Sequence, residues 1–263
     1  MDNIREAINQ AVKNGRLDIL MDFHRNYKNQ CPWDEGTCTT AALNGHIECL
    51  KYAHENGCPW DDWTCLSSAK YNHLECLKYA HKNGCPWDAC TCAAAAQNGH
   101  FECLKYAHEN GCPWDDGWDY STCAEAAKYG HLECLKYAHE NGCPWNDLTC
   151  AEAAKNGHLE CLKYAHENGC LWYRESDTCP NAAANRHLDC LEYAHKNGCP
   201  YPKYLLTFII KKILIPKWRA AVKSRFIIIY WMELGAQSSC AENRRARIED
   251  INSFENDFNN LIL

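Results

Sequence analysis

The chain has 263 residues, and its formal net charge of −7 excludes an overall positive field that would attract nucleic acid or anionic membranes. The N-terminal stretch from Met1 to Gly15 has no apolar segment after a basic start, so we expect no secretory signal peptide. The 21 cysteines are an odd number and come without an export signal. This combination predicts reduced thiols and an intracellular location, cytoplasmic or nuclear.

One segment recurs along most of the chain, and a fixed period indicates a repeat architecture before any local preference is considered. The segment first runs from Cys31 to Gly57, and its ordinary period is 27 residues. A more diverged copy, from Ala11 to Leu20, precedes it. The later copies begin at Cys58, Cys85, Cys112, Cys143 and Cys170.

Two copies are longer than the others. The copy that begins at Cys112 has four extra residues, around residues 117–121, and the copy that begins at Cys170 has two. Both insertions fall between the Trp and the Thr-Cys pair. We therefore predict a surface loop there, where extra residues do not shift a helix face.

Each copy predicts a short first helix. In one copy, Thr149 and Glu152 have the spacing of a capping box, in which the two side chains satisfy backbone N–H groups at the start of a helix. Thr122 and Glu125 repeat this spacing. The helix is predicted to end near Gly157, because glycine adopts the left-handed conformation common just past a helix.

A second helix follows in each copy. Leu159, Leu162 and Ala165 recur at helical spacing, with charged residues on the opposite side, and the helix is predicted to end at Asn168-Gly169. A pair of helices this small cannot bury its own apolar stripe, so neighbouring copies must stack and share one elongated core. The predicted fold is all-α, an α-solenoid.

These residues resemble the ankyrin repeat. The resemblance covers residues 31–198 and implies stacked helix-turn-helix repeats that bind another protein without enzymatic activity. In the copy that begins at Cys143, the matching residues are Thr149-Cys150, Ala153-Ala154, Asn156-Gly157-His158-Leu159-Glu160, Leu162 and Asn168-Gly169-Cys170.

Two features depart from the ankyrin pattern. Cys replaces the Pro that follows the Thr, and the period is 27 residues rather than 33. The missing residues lie where ankyrin proteins form a projecting β-hairpin finger, so we expect Cys-Pro-Trp-Asp to form a compact turn and the fingers to be shortened. Short arrays of this kind resemble those of giant DNA viruses and protists. If the source is viral, this resemblance implies that the protein acts inside the host cell.

The His-x-Glu pairs, such as His46 and Glu48, and the many cysteines raise the alternative of a zinc site. However, a zinc deaminase needs Pro-Cys-x-x-Cys, whereas here Cys precedes Pro and no Cys-x-x-Cys occurs. The same residues recur in every copy, which indicates packing. We expect cysteines that act as small apolar side chains, and no enzyme, metal or cofactor. A reactive or metal-contacting role stays open for Cys90 and Cys92.

Two histidines recur in each copy, together with one tryptophan. The His158 position is predicted to hydrogen-bond at the turn between the helices. The His166 position lies near the end of the second helix, where a cation is favourable. The Trp of Cys-Pro-Trp-Asp is predicted to pack between neighbouring copies rather than to contact a ligand.

The repeat is lost after Cys199, and an apolar and basic segment follows. Lys211 and Pro216 interrupt the apolar run, which favours two helices over a membrane span. Two roles stay open: a cap over the last repeat, or a surface that binds nucleic acid or anionic membranes. The basic residues for the second role are Lys211, Lys212, Lys217, Arg219, Lys223 and Arg225.

The predicted organisation has four parts and a monomeric state. Residues 1–30 form a degenerate N-terminal capping repeat, residues 31–198 six repeats, residues 199–234 a C-terminal helical cap, and residues 235–263 a tail.

Residues that vary between copies are the expected partner-binding positions, because positions common to all copies must satisfy the same packing. They lie in the turn before Thr-Cys and in the first helix, which in ankyrin proteins face the concave surface. Aromatic residues dominate binding hot spots, so Trp63, Trp118 and Tyr120 are the strongest candidates. The alternative for Trp63 and Trp118 is that they pack on neighbouring turns. The full set is Glu35, Thr39, Leu43, Trp63, Leu66, Lys70, Tyr71, Gln97, Trp118, Tyr120, Glu125, Leu148 and Glu152.

Overall fold

The computed structural model confirms the predicted all-α fold class. It describes residues 2–27, 31–114, 121–144, 147–172 and 178–200, and all regular structure in these ranges is helical, in fourteen helices. In chain order they are α1 (Asp2–Lys13), α2 (Leu17–Tyr27), α3 (Glu35–Leu43), α4 (Ile47–Glu55), α5 (Asp62–Lys70), α6 (Leu74–Lys82), α7 (Ala89–Gln97), α8 (Phe101–Glu109), α9 (Thr122–Tyr129), α10 (Leu132–Glu140), α11 (Asp147–Asn156), α12 (Leu159–Glu167), α13 (Thr178–Ala184) and α14 (Leu188–Lys196).

The helices form two rows. Each odd-numbered helix packs against the even-numbered helix that follows it, and also against the next odd-numbered helix along the chain. The even-numbered helices contact one another in the same order, but less extensively. The first helices therefore make the tighter row of a solenoid. Between α4 and α5 the chain passes through Cys58–Asp61 without a strand, which fits the compact turn predicted in place of a finger.

Both helices of most pairs end at a left-handed glycine, as the Asn-Gly pairs predicted; after α5 and α13 the left-handed residue is Asn72 and Arg186, respectively, instead. Gly45 after α3 has φ +74°, and Gly57 after α4 has φ +83°. Beyond each glycine the next backbone N–H turns back to a carbonyl in the last turn: His46 N–H to Ala41 O at 2.9 Å, and Cys58 N–H to Ala53 O at 2.9 Å. These bonds satisfy carbonyls that the helix end would otherwise leave unpaired.

The predicted capping box is wrong. Helix α11 begins at Asp147, so Thr149 is its third residue and lies inside the helix rather than at its cap. Helix α9 begins at Thr122 itself. Glu125 and Glu152 do not reach back either, because their carboxylates accept from Lys128 and Lys155.

The aspartate of Cys-Pro-Trp-Asp is the residue that caps the first helices where the turn is described. The Asp61 carboxylate accepts the backbone N–H of Trp63 at 3.2 Å, and that of Asp88 accepts the N–H of Cys90 at 2.9 Å. Asp is among the preferred N-cap residues, and its negative charge is favourable at the positive end of a helix. Helix α11 therefore begins three residues earlier than a Thr149 cap predicts, and α9 one residue earlier than a Thr122 cap predicts.

The core consists of small and medium side chains that recur in every repeat. Leu50, Leu77 and Leu135 have no exposed surface, and the adjoining alanines are similarly buried. The cysteines at the three recurring positions, represented by Cys38, Cys49 and Cys58, are also buried, which confirms that they act as small apolar side chains. None of the twenty described cysteines forms a disulfide.

The recurring histidine at the turn between helices joins neighbouring repeats. His73 Nε2 lies 3.1 Å from the carbonyl oxygen of Leu43, which confirms the predicted hydrogen bond. Its ring lies so close to Gly45 that a Cβ there would collide with His73 Nδ1. Glycine is favoured at this position both for its positive φ and for the approach of the next repeat's histidine, although Asn72 and Arg186 take the equivalent position in two repeats with φ +63° and +66°.

A second contact between repeats joins His, Trp and Tyr. The His54 ring stacks on Trp60 with 3.7 Å between centroids, and His54 Nδ1 lies 3.0 Å from the Tyr79 hydroxyl of the next repeat. The Trp thus packs between neighbours, as predicted. The equivalent trios are His24/Trp33/Tyr52, His81/Trp87/Tyr106, His108/Trp114/Tyr137 and His166/Trp172/Tyr193.

The expectation that a cation is favoured at the His166 position is wrong. Burial lowers the pKa of His54, His81 and His166, so the neutral imidazole is favoured there. The Trp ring stacked on His54, on His81 and on His166 covers one face of each imidazole and contributes to that burial.

Replacing Leu135 by Ala should lower the free energy of unfolding by about 2 to 5 kcal/mol, because it leaves a cavity between α10 and its neighbours. Urea denaturation followed by circular dichroism measures the change. Leu171→Ala is the control, because Leu171 is 66% exposed and its truncation should change stability little. Equal effects of the two substitutions would contradict the assignment of the core.

The buried threonines of the first helices differ in a testable way. The Thr64 hydroxyl pairs with the Thr39 hydroxyl at 3.3 Å, whereas the Thr91 hydroxyl has no hydrogen-bond partner among the described residues. A buried hydroxyl without a partner is costly, so Thr91→Val should raise the free energy of unfolding by about 1 kcal/mol. Thr64→Val, which breaks a bond, should lower it by about the same amount. Urea denaturation compares them, and a Thr91→Val protein less stable than wild type would refute the reasoning.

Candidate protein-binding surface

The first helices present a row of side chains on one face, which we call the first-helix face. In α5 it consists of Trp63, Leu66 and Lys70, whose spacing of three and four residues places them on one side of the helix. Trp63 is 58% exposed. The residue equivalent to Trp63 is Leu148 in α11 and Cys90 in α7, and both are exposed.

At its N-terminal end, this face is formed by α3, where the predicted residues separate into different roles. Glu35 is exposed in the first turn, and Leu43 is exposed in the last. Thr39 is only half-buried, but its hydroxyl pairs with Thr64 of the next repeat. Glu35 and Leu43 are thus available to a partner, whereas Thr39 serves the contact between α3 and α5.

Exposed tyrosines lie at the C-terminal ends of two first helices, α5 and α9. Lys70 Nζ lies 5.6 Å from the centroid of the Tyr71 ring, and Lys128 Nζ lies 5.1 Å from that of Tyr129. These distances are in the range of cation–π attraction. Tyr129 was missed by the sequence analysis, although alignment of its repeat with that of Tyr71 places the two at the same position.

A polar network joins α7 and α9 on this face. Gln97 Nε2 donates to the Glu125 carboxylate at 3.0 Å and to the Tyr129 hydroxyl at 3.3 Å. Lys128 Nζ donates to the other Glu125 oxygen at 3.2 Å. Glu125 is only 6% exposed, so its carboxylate holds two repeats together rather than pointing to a partner. Hydrogen bonds to a charged group are stronger than those between neutral groups, so this network holds α7 and α9 firmly together.

The structure thus brings Gln97 and Glu125 together and places Trp63, Leu66 and Lys70 on one face. Glu152 is half-buried and paired with Lys155. Trp118 and Tyr120 lie outside the described residues, as do residues 117–120 of the predicted loop around residues 117–121 and the stretch 173–177 that holds the two-residue insertion of the copy that begins at Cys170. The basic C-terminal residues and the predicted cap after residue 200 also lie outside them.

No group of three or more His, Cys, Asp and Glu side chains in the described ranges is arranged to hold a metal ion. The irregular pair Cys90 and Cys92 is not brought together, since Cys90 is exposed and Cys92 is buried in the core. Among the helices described, none combines the length and the apolar character needed to span a membrane.

Comparisons with known proteins agree with this architecture. Residues 65–108 and 123–166 match the family model described as ankyrin repeats (many copies). No curated protein sequence matches the chain. Among solved structures, the crystal structure of the human ASB11 ankyrin repeat domain is similar, with a TM-score of 0.60 and 19% sequence identity over 70% of this chain and 96% of that one.

At this identity the structural similarity concerns the fold alone. The viral or protist source that the Cys-Pro-Trp-Asp variant suggests stays a prediction. Residues 65–108 and 123–166 match the ankyrin-repeat family model, and the described part of the chain has the fold of an ankyrin-repeat solenoid.

Proposed function

We propose that this chain is a non-enzymatic scaffold that binds another protein through the first-helix face and the turns that precede the first helices. Ankyrin repeats are generally modules of protein–protein interaction, and their fold is typically non-enzymatic. The observation that carries the proposal for this chain is the exposure of Trp63 on the first-helix face, next to Leu66 and Lys70.

The two tryptophans of this repeat show the contrast that supports the proposal. Trp60 is stacked on His54 and contacts Tyr79, so packing between repeats accounts for it. Trp63 has more than half its surface exposed, and the equivalent residues Gly36 and Cys90 are small. Packing does not require a large side chain here. An exposed Trp supplies a large apolar area at low conformational cost, which is why Trp is enriched in binding hot spots.

Charge favours a protein partner over nucleic acid on this face. Residues 1–200 contain 17 Lys and Arg against 28 Asp and Glu, which gives this part of the chain a net charge of −11. Glu35, Asp62 and Asp88 are exposed near the starts of the first helices, where they would repel phosphates. A partner with basic and apolar groups fits this surface better.

The competing function is binding of nucleic acid or anionic membranes through the basic segment after residue 200. It would act through Lys211, Lys212, Lys217, Arg219, Lys223 and Arg225. Binding of oligonucleotides or anionic vesicles that weakens steeply with salt, and is lost on truncation after Gly198, would favour it over the scaffold.

We also propose that the array is a monomer inside a cell and is capped at both ends. Ile8 and Val12 of α1 are buried against α3, while Arg5 and Glu6 on the same helix are exposed, which suits an N-terminal cap. Residues 199–234 are the proposed C-terminal cap, followed by the tail.

Trp63→Ala should weaken capture of the partner at least tenfold, about 1.4 kcal/mol, because it removes the largest exposed apolar anchor. Its thermal unfolding midpoint should stay close to that of wild type. Affinity capture from cell lysate, with quantitative mass spectrometry of the bound proteins, measures the first effect, and calorimetry the second. Adding Trp118→Ala should weaken capture further.

The matched control is Trp60→Ala, which removes a tryptophan from the same repeat. It should lower the unfolding midpoint clearly, because the stack on His54 is lost. The proposal fails if Trp63→Ala captures the same proteins as wild type, or if it destabilises the fold as much as Trp60→Ala does.

A further inference from the structure

Two of the three cysteine positions form pairs in the core. In each repeat, the cysteine in the first helix lies next to the cysteine that follows the second helix. The first-helix thiol lies against the backbone of the second cysteine: Cys123 Sγ, for example, is 3.7 Å from the carbonyl oxygen of Cys143. The pairs are Cys38/Cys58, Cys65/Cys85, Cys92/Cys112, Cys123/Cys143, Cys150/Cys170 and Cys179/Cys199.

The position of each thiol in a pair is set by the backbone. Cys38 Sγ lies 4.0 Å from the carbonyl oxygen of Cys58, and Cys65 Sγ lies 3.9 Å from that of Cys85. Cys58 Sγ, in turn, donates to the carbonyl oxygen of Asp34 at 3.3 Å, just before the first helix. Each pair thus joins the start of a first helix to the turn after the second helix of the same repeat, 20 residues further along.

The folded protein keeps these thiols protonated and inaccessible. The neighbouring Cys38 thiol and burial raise the pKa of Cys58 far above its ordinary value, and both side chains are at most 3% exposed. Because the thiolate is the reactive form, a pair reacts only after its repeat opens and admits solvent.

The geometry points to a modification site at each of these six pairs: we propose that the two cysteines form a disulfide when a repeat opens in the presence of a peroxide. One thiolate attacks a peroxide oxygen, and the O–O bond breaks. The attacked oxygen stays on the sulfur as a sulfenic acid, and the other oxygen departs as hydroxide, which is protonated to water. The second thiol then attacks the sulfenic sulfur, and the S–S bond forms with release of a second water. Two electrons pass from the two sulfurs to the peroxide.

Such a bond would close a loop across one repeat and restrict its reopening. A cross-link disfavours the unfolded chain, so an oxidised array should unfold at a higher temperature than a reduced one. The pairs lie in the core and not on the first-helix face, so their oxidation is independent of the proposed binding function.

The third cysteine position supplies an internal control. Its members, such as Cys76 and Cys134, are as deeply buried as the pairs, and burial raises the pKa of Cys76 to about 11 and of Cys134 to about 12. Among the described residues, their thiols make no hydrogen bond to another cysteine, and Cys103 Sγ instead donates to Asn72 Oδ1 at 3.7 Å. They match the pairs in burial but lack the contact with a second cysteine. The full set is Cys49, Cys76, Cys103, Cys134, Cys161 and Cys190.

The test exposes the full chain to hydrogen peroxide at several urea concentrations below the unfolding midpoint, followed by blocking of remaining thiols and mass-spectrometric mapping. We expect cross-links within the six pairs, faster with more urea, and a raised unfolding temperature that dithiothreitol reverses. Cys123→Ser should abolish only the Cys123/Cys143 cross-link. Cys134→Ser should leave all six.

Three results would overturn the proposal. The first is cross-links among the third-position cysteines in yields equal to those of the pairs. The second is oxidation of the paired thiols to sulfinic acids without S–S bonds. The third is an unfolding temperature that does not rise although the pairs are cross-linked.

Discussion

The structure depends on one constraint: a pair of helices nine residues long has more apolar surface than it can bury by itself. Leu77 and Ala80 of α6 lose all exposure because α5 covers them within the repeat and the adjoining repeats cover them from the sides. Each repeat is therefore stable only as a neighbour of others. The recurring residues serve this dependence directly, and this explains why the copies agree so closely at buried positions.

The contacts between repeats are directional as well as apolar. The histidine at the turn between helices reaches a carbonyl of the preceding repeat, and the His, Trp and Tyr trio links the second helices through a ring stack and a hydrogen bond. Gly45 permits the first of these contacts because a side chain there would collide with His73. The same bonds recur at nearly the same distances, so they set the spacing of the stack while the alanine and cysteine core fills it.

This arrangement leaves the first-helix face free to vary. The side chains of Trp63 and Leu148 are both exposed, so these positions should tolerate substitution more readily than the buried leucines of the core. Glu125 shows that the division is not absolute, since this variable residue is buried and ties α7 to α9 through Gln97. At Glu125, a position that varies between repeats thus also contributes to the contact between repeats.

The fold followed from the sequence because its period and its helix ends are local properties. The left-handed glycines, the histidine at the turn and the packed Trp were all read from residues that recur at fixed spacing. The start of the first helix was misplaced because both Asp61 and Thr64 are good capping residues, and only the backbone decides between them. The thiol pairs were not foreseen, because two residues 20 positions apart meet only through the turn between two helices.

The central claim is that stability comes from contacts between neighbouring repeats, and deletion of one internal repeat tests it most directly. Removal of residues 85–111 excises α7 and α8 and rejoins Gly84 to Cys112, which restores the Gly-Cys-Pro-Trp junction found elsewhere. The account predicts a shortened array that keeps its helical circular dichroism per residue and unfolds cooperatively at lower urea. A protein that loses its helical signal altogether, or keeps the full stability of the wild type, would contradict it.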